Sequence, residues 1–294
     1  MESIVFFGSG PLAAASLKFL NDNFTVEAVV TKPTTKVEMS ASAPDLPLHT
    51  VSNKQELTEL LNTKPFKSHL AILVDFGIIV EKSVIDYFPL GIINSHFSLL
   101  PRWRGADPIS FAILKGDTKT GVSLMLIDEG LDTGKLITQK VLHIKPDATT
   151  PSLTEDLIEL SNQLLKEFVP RYVSGEIKPH NQPHPDRVTH SHKLSKQDGI
   201  IDWNKPAQEI EYEIRAFAGW PASRTTISDR DVIITQVHIT PTTGPDEKPG
   251  ELNVVPEIQE IGVATSNGTV WIDRLKPAGK NEMSAAEFIR GYLR

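Results

Sequence analysis

Asn94 and His96 stand one residue apart at the end of an apolar run, Gly91-Ile92-Ile93-Asn94-Ser95-His96. Such a run reads as a strand, and residues i and i+2 of a strand project to the same side of its sheet. The spacing therefore sets an amide donor beside an imidazole. In an open α/β sheet the carboxyl ends of the strands are where ligands bind, and the loop Asp128 to Gly134 (DEGLDTG) is placed to return a carboxylate, Asp132, to that edge. A neutral amide, a titratable ring and an acid suit acyl transfer. Asn94 and protonated His96 would hold an oxyanion, and Asp132 would set the protonation of the imidazole. The same residues also fit a structural histidine beside an amide and an ordinary turn carboxylate ahead of Thr133-Gly134. No second histidine stands at a zinc-ligand spacing from His96, so no metal is expected.

The elements that must position these residues alternate along the first half of the chain. Met1 to Phe7 reads as a strand, Gly8-Ser9-Gly10-Pro11 as a turn and Leu12 to Leu20 as a helix. The turn sits where a dinucleotide fingerprint would sit, but Ala13 replaces its third glycine, so the motif reads as a plain strand-to-helix connection in preference to a dinucleotide site. Further strands are expected at Thr25 to Val30, Leu70 to Val74 and Gly91 to Asn94, with a helix at Lys54 to Leu61. This alternation favours a mostly parallel, doubly wound α/β sheet. Gly121 to Ile127 and Lys135 to Ile144 suit an antiparallel extension, and Ser152 to Val173 a long amphipathic helix. Prolines 179, 183 and 185 and histidines 180, 184, 190 and 192 mark a linker. The helix Ala207 to Phe217 and short strands near Ser223-Ile227, Val232-Ile239, Gly262-Thr265 and Thr269-Ile272 then suggest a small β-barrel. The expected division is a catalytic domain at 1–178, a linker at 179–206 and a second domain at 207–294.

The 294 residues carry 30 Lys+Arg against 37 Asp+Glu, a formal charge of −7, with 39 % hydrophobic residues and no cysteine. That composition excludes wholesale disorder, and no uncharged apolar run approaches a membrane span. Disulfides and thiolate chemistry are excluded outright. The absence of cysteine and the strand-like amino terminus fit a cytoplasmic protein without a membrane partner. A net negative chain binds nucleic acid only through a local basic patch.

At the candidate residues the sequence resembles the 10-formyltetrahydrofolate-dependent formyltransferases. The resemblance is carried by Asn94-Ser95-His96, Ser98 to Ala106 (SLLPRWRGA) and Asp128 to Gly134. Within that family the RWRG tetrad favours the methionyl-tRNA formyltransferases. So does a string in the second half: Lys193-Leu194-Ser195-Lys196, Asp202-Trp203, Ile214-Arg215-Ala216-Phe217, Trp220-Pro221 and Leu275 to Phe288. The resemblance implies a Rossmann-like formyltransferase domain followed by an OB-like barrel. It also implies formyl transfer from 10-formyltetrahydrofolate to the α-amino group of an aminoacylated initiator tRNA, in translation initiation, by a monomer. A formyltransferase for an amino-sugar nucleotide is the alternative. Asn94, His96 and Asp132 match the family's catalytic positions. The folate site carries over to Ser98, Leu99, Leu100 and Pro101, and to the backbone around Phe76-Gly77-Ile78 and Asp128-Gly130. Candidate tRNA contacts are Arg102, Arg104, Arg215, Lys276 and Lys280.

The chain departs from the family where a long basic loop normally follows the second strand. Thr34 to Asp45 holds one lysine and one glutamate, and residues 179–294 hold 13 Lys+Arg against 16 Asp+Glu. If the segment after Pro101 is extended, Arg102 and Arg104 share a face and Trp103 points the other way, which would give two arginines to the mouth of the site.

Overall fold

The computed structural model describes residues 3–241, 248–255 and 259–293. They fall into two compact units. One comprises the chain up to Pro108 with Lys119–His143 and Thr154–His192. The other comprises Ile109–Thr118, Ile144–Leu153 and the chain from Lys193 onward.

The first unit is built on β1 (Ile4–Gly8), α1 (Pro11–Asn23), β2 (Val26–Thr31), α2 (Lys36–Ser42), β3 (Leu48–Thr50), α3 (Lys54–Asn62), β4 (Leu70–Val74), α4 (Lys82–Ile85) and β5 (Ile92–His96). β1 and β4 are apolar at nearly every position and buried throughout, as central parallel strands covered on both faces must be. The next elements along the chain are β6 (Arg104–Gly105), α5 (Pro108–Leu114), which apart from Pro108 belongs to the second unit, β7 (Lys119–Leu126), β8 (Leu136–His143), α6 (Thr150–Val173), whose residues from Thr154 belong to the first unit, and β9 (His190–Ser191). The sheet runs β3-β2-β1-β4-β5-β7-β8, with β1 to β5 parallel and β7 and β8 joining antiparallel. The mostly parallel sheet and its antiparallel extension thus stand as expected.

Gly8 closes β1 against α1, and a Cβ there would lie 2.6 Å from both the Ala13 Cβ and the Phe6 ring. The glycine serves close packing of strand on helix. α3 is capped by Asn53, whose Oδ1 accepts from the backbone N–H groups of Gln55 (2.9 Å) and Glu56 (3.0 Å). Val5, Phe7, Ala71, Leu73, Phe76, Phe88 and Ile92 form the core on one face of the sheet.

The second unit carries α7 (Ala207–Ala216), β10 (Ser223–Ile227), β11 (Arg230–Thr240), β12 (Leu252–Val255), β13 (Glu260–Ala264), β14 (Thr269–Pro277), β15 (Met283–Ser284) and α8 (Ala285–Tyr292). Its strands are antiparallel in the order β10-β11-β14-β13-β12, with β15 on β14. Ile210 and Ile214 of α7 and Phe288 of α8 share a core with Val232, Ile261, Val270 and Leu275 of the sheet. α8 starts with a capping box in which Ser284 and Glu287 satisfy each other's backbone N–H groups. No helix among the described residues is long and apolar enough to cross a membrane.

Candidate active site

β5 delivers Asn94 and His96 to the carboxyl edge of the sheet in register with its neighbours, Asn94 beside Leu73 of β4 and Met125 of β7. Between them Ser95 faces the other way, buried, with its hydroxyl 2.6 Å from that of Ser161 in α6. Asp132 returns from the loop after β7. Its Oδ1 accepts from Asn94 Nδ2 at 3.5 Å and its Oδ2 lies 3.7 Å from His96 Nδ1. The structure therefore brings all three residues together.

His96 is buried, and its Nε2 lies 2.8 Å from the carbonyl oxygen of Trp103. A carbonyl only accepts, so Nε2 carries a hydrogen and donates it. The nitrogen left for chemistry is Nδ1, on the side of Asp132. Asp132 itself sits at φ 51°, the left-handed region that an L-residue keeps only where its surroundings hold it. The Gly105 N–H donates to its Oδ2 at 2.7 Å. Gly105 is at φ 105°, and a Cβ there would lie 2.4 Å from the Ser191 carbonyl oxygen, so only glycine allows β6 to pair with β9.

The RWRG segment is not extended. The Arg102 N–H donates to the Leu99 carbonyl at 3.1 Å, closing a turn, and Trp103 is left-handed at φ 58°. Trp103 is buried, but the Arg102 guanidinium lies over its ring at 4.2 Å from the centroid, so the two side chains stack instead of pointing apart. Arg104 turns inward at one end, its Nη2 donating to Gln182 Oε1 at 2.6 Å. The shared arginine face expected of an extended segment is absent because a turn and a left-handed residue break the alternation.

Of the candidate folate residues, Ser98 and Leu100 are buried. The Ser98 hydroxyl donates to the Arg102 carbonyl, and Leu100 is tied through its N–H to Ser123 Oγ at 3.1 Å and through its carbonyl to Gln139 Nε2 at 2.8 Å. Leu99 is half-buried and Pro101 buried. Phe76 is a core ring packed edge-on against Phe7, while Gly77 is open and its carbonyl accepts from Lys32 Nζ at 3.1 Å; Ile78 is half-buried. Asp128 shapes its own loop, its Oδ1 accepting from the Gly130 N–H (3.1 Å) and the Thr133 hydroxyl (2.6 Å).

The pattern of the whole chain agrees with the geometry. A formyl transferase model matches residues 2–169, and a formyl transferase C-terminal domain model matches residues 193–293. The chain belongs to the formyl transferase family. A methionyl-tRNA formyltransferase of Myxococcus xanthus is 36 % identical over 98 % of this chain and 95 % of its own length. One from Roseiflexus castenholzii is 34 % identical over the same shares. Among solved structures, an N-formyltransferase from Helicobacter canadensis in complex with folinic acid and dTDP-3-aminofucose shares the fold. It has a TM-score of 0.69 at 19 % identity, covering 92 % of this chain and 98 % of that one.

The candidate basic residues of the second unit differ in their partners. Arg215 is bound within its own unit: its guanidinium is bidentate to Glu211 and its Nη1 donates to the Ala148 carbonyl at 2.9 Å. Lys276 and Lys280 are exposed. A cavity of about 440 Å³ in the second unit, lined by Tyr212, Arg215 and Lys145 among others, contains none of the triad. Among the described residues no group of three or more His, Asp or Glu is arranged to hold a metal ion.

Asp75 belongs to no motif and no spacing singles it out, yet it stands directly after β4. Crowding by protein and the nearby Asp107 carboxylate push its carboxyl from 3.8 up to about 6, with Lys32 opposing. The Gly105 N–H and Gln182 are likewise invisible to spacing, since each acts on a partner distant in the sequence, and the Trp103 carbonyl is hidden because the left-handed turn that aims it at His96 has no periodic signature.

Proposed function

We propose that the chain transfers the formyl group of 10-formyltetrahydrofolate to the α-amino group of methionyl initiator tRNA, with Asn94, His96 and Asp132 as the reacting site. The observation that carries the reading is the convergence of an amide, an imidazole with one nitrogen committed to a carbonyl, and a carboxylate at the carboxyl edge of β5. The names of the full-length relatives support the substrate. The folinic acid held by a structural relative supports a folate donor.

In this reading the neutral amine attacks the formyl carbon, and the carbonyl electron pair moves onto oxygen. Asn94 Nδ2 and protonated His96 Nδ1 hold that oxyanion. Asp132 receives a proton from the now cationic nitrogen, directly or through water. Collapse expels N10 of the folate, which takes up the proton that Asp132 received, directly or through water, and the formamide leaves with the carboxylate restored. The folate binds along Leu99 to Pro101, Phe76 to Ile78 and Asp128 to Gly130. Residues 1–178 hold the chemistry, 207–294 help to hold the tRNA and 179–206 join them, in a cytoplasmic monomer.

Formylation assays offering methionyl-tRNA and an amino-sugar nucleotide side by side test the reading. Methionyl-tRNA is expected to be formylated, and Asn94→Ala, His96→Ala and Asp132→Ala are each expected to lower the rate by about two orders of magnitude without unfolding the protein. Turnover of the sugar alone would transfer the same chemistry to the other substrate class. Near wild-type rates in all three variants would move the site elsewhere.

A further inference from the structure

We infer that Gln182 is the positioning residue for Asp132, so that a segment read from its prolines as a mere connector completes the reacting site. The inference rests on reading Asp132 as a working carboxylate. Gln182 Nε2 donates to the Asp132 carbonyl at 2.7 Å and to the Gly134 carbonyl at 3.0 Å, while its Oε1 accepts from Arg104 Nη2 at 2.6 Å. Both amide hydrogens and the amide oxygen are thus used, and the partners fix which end is which: carbonyls only accept and a guanidinium only donates.

Asp132 needs such a hold. It is left-handed, and Asn94 at 3.5 Å and His96 at 3.7 Å are too distant to fix the carboxylate's direction by themselves. Two short hydrogen bonds do hold it: the Gly105 N–H on the carboxylate at 2.7 Å and Gln182 on the backbone at 2.7 Å. One holds the head and the other holds the turn that aims it.

Gln182 is itself pinned on both sides. His180 and Leu136 exchange backbone hydrogen bonds of 2.8 and 2.9 Å. On the other side Thr189 donates to the Pro101 carbonyl (3.3 Å), accepts from the Arg104 N–H (2.9 Å), and takes the Trp103 N–H on its hydroxyl at 2.9 Å. The same short segment therefore fixes Asp132 through Gln182, and through Thr189 the Trp103 residue whose carbonyl orients His96.

The side chain is also specific. Glutamate would set an acceptor against two carbonyl oxygens, asparagine falls one methylene short, and methionine fills the space without a hydrogen bond. These differences supply the test, single-turnover formylation of methionyl-tRNA by Gln182→Ala and Gln182→Met in wild-type and Asp132→Ala backgrounds, each variant checked by thermal melting.

In the wild-type background both substitutions are expected to slow the chemical step about 30-fold, the scale of a misplaced catalytic group, with the folate KM within about twofold. In the Asp132→Ala background they are expected to add less than about twofold, because nothing remains to be aimed. Equal losses in the two backgrounds would overturn the inference, since Gln182 would then act independently of Asp132. If Gln182→Ala fails to fold, the shape-preserving Gln182→Met decides. An Asp132→Ala enzyme within about twofold of wild type would overturn the reading of the site, and this inference with it, whereas additive losses beside a large Asp132 effect would overturn this inference alone.

Discussion

His96 divides its two nitrogens between structure and chemistry, and the division is open to a direct comparison. A glutamine at 96 brings an amide to the place of Nε2 and keeps the bond to the Trp103 carbonyl; an asparagine reaches only the place of Nδ1, beside Asp132. If Nδ1 faces the reacting carbonyl, His96→Asn retains more turnover than His96→Gln at equal folding, and the reverse order in a kcat comparison would assign the chemistry to Nε2. Asp75 yields a second expectation, this one on stability. Its carboxyl titrates near 6 in the fold against 3.8 in the open chain, chiefly because surrounding protein disfavours its charge and secondarily because Asp107 is near. The folded state therefore holds more protons than the unfolded state between those values, so the wild type loses stability as pH rises from about 4 to 6 and stays penalised above. Asp75→Asn removes the penalty. The variant is expected to match the wild type below pH 4 and to exceed it at pH 7.5 by about 1 kcal/mol at most, a discounted figure because the side chain is open to water. Urea melts at the two pH values measure the difference, and an equal gain at both would deny that ionisation is the cause.

β6 and β9 are two residues each, yet their pairing brings the Gly105 N–H to Asp132 and the Thr189 hydroxyl to the Trp103 N–H. Gly105→Ala meets the Ser191 carbonyl and a disfavoured φ together, so it is expected to destabilise the protein by about 2 kcal/mol or more and to slow turnover about tenfold or more. Calorimetry alongside kinetics would show both losses, and an unaltered melting temperature would deny the close approach. The longer elements were legible because burial imposes a period. The apolar runs of β1 and β4, the Asn94-Ser95-His96 alternation and the leucines of α6 each carry their own pattern within ten residues or so. The turn at Leu99–Arg102 and the left-handed Trp103 carry none, which is why an extended reading of RWRG placed the arginines wrongly. Gln182 and Thr189 were equally hidden. Their polar, proline-rich surroundings look like a connector, and a hydrogen bond across 50 or 86 positions leaves no trace in local spacing. The acid, amide and imidazole were readable by type; what aims them was not.

A chain of net charge −7 that handles a polyanion must concentrate its few available cations, and the structure narrows which those are. Arg215 already has a bidentate carboxylate, Glu211, and Arg104 commits one end of its guanidinium to Gln182. A phosphate would have to compete with those partners, and a charge already paired releases fewer counterions on binding. Lys276 on β14 and Lys280 just beyond it are exposed, and although the Lys276 charge acts on the Glu282 carboxylate, neither lysine is held in a half-buried bidentate pair as Arg215 is. Reversing them in Lys276→Glu/Lys280→Glu is therefore expected to weaken tRNA binding and to lower the slope of log K against log salt by about two, just under one for each phosphate left unneutralised. Arg215→Ala is expected to change the slope by less than about 0.5, because removing it frees Glu211 more than it frees a phosphate. Folate affinity should be unchanged in both, as these residues belong to the second unit and the proposed folate residues to the first. Filter binding across a salt series, with a folate titration beside it, separates the effects. An unchanged slope in the lysine double variant, or a larger change in Arg215→Ala than in that variant, would show that pre-existing pairing does not decide which cations meet the tRNA.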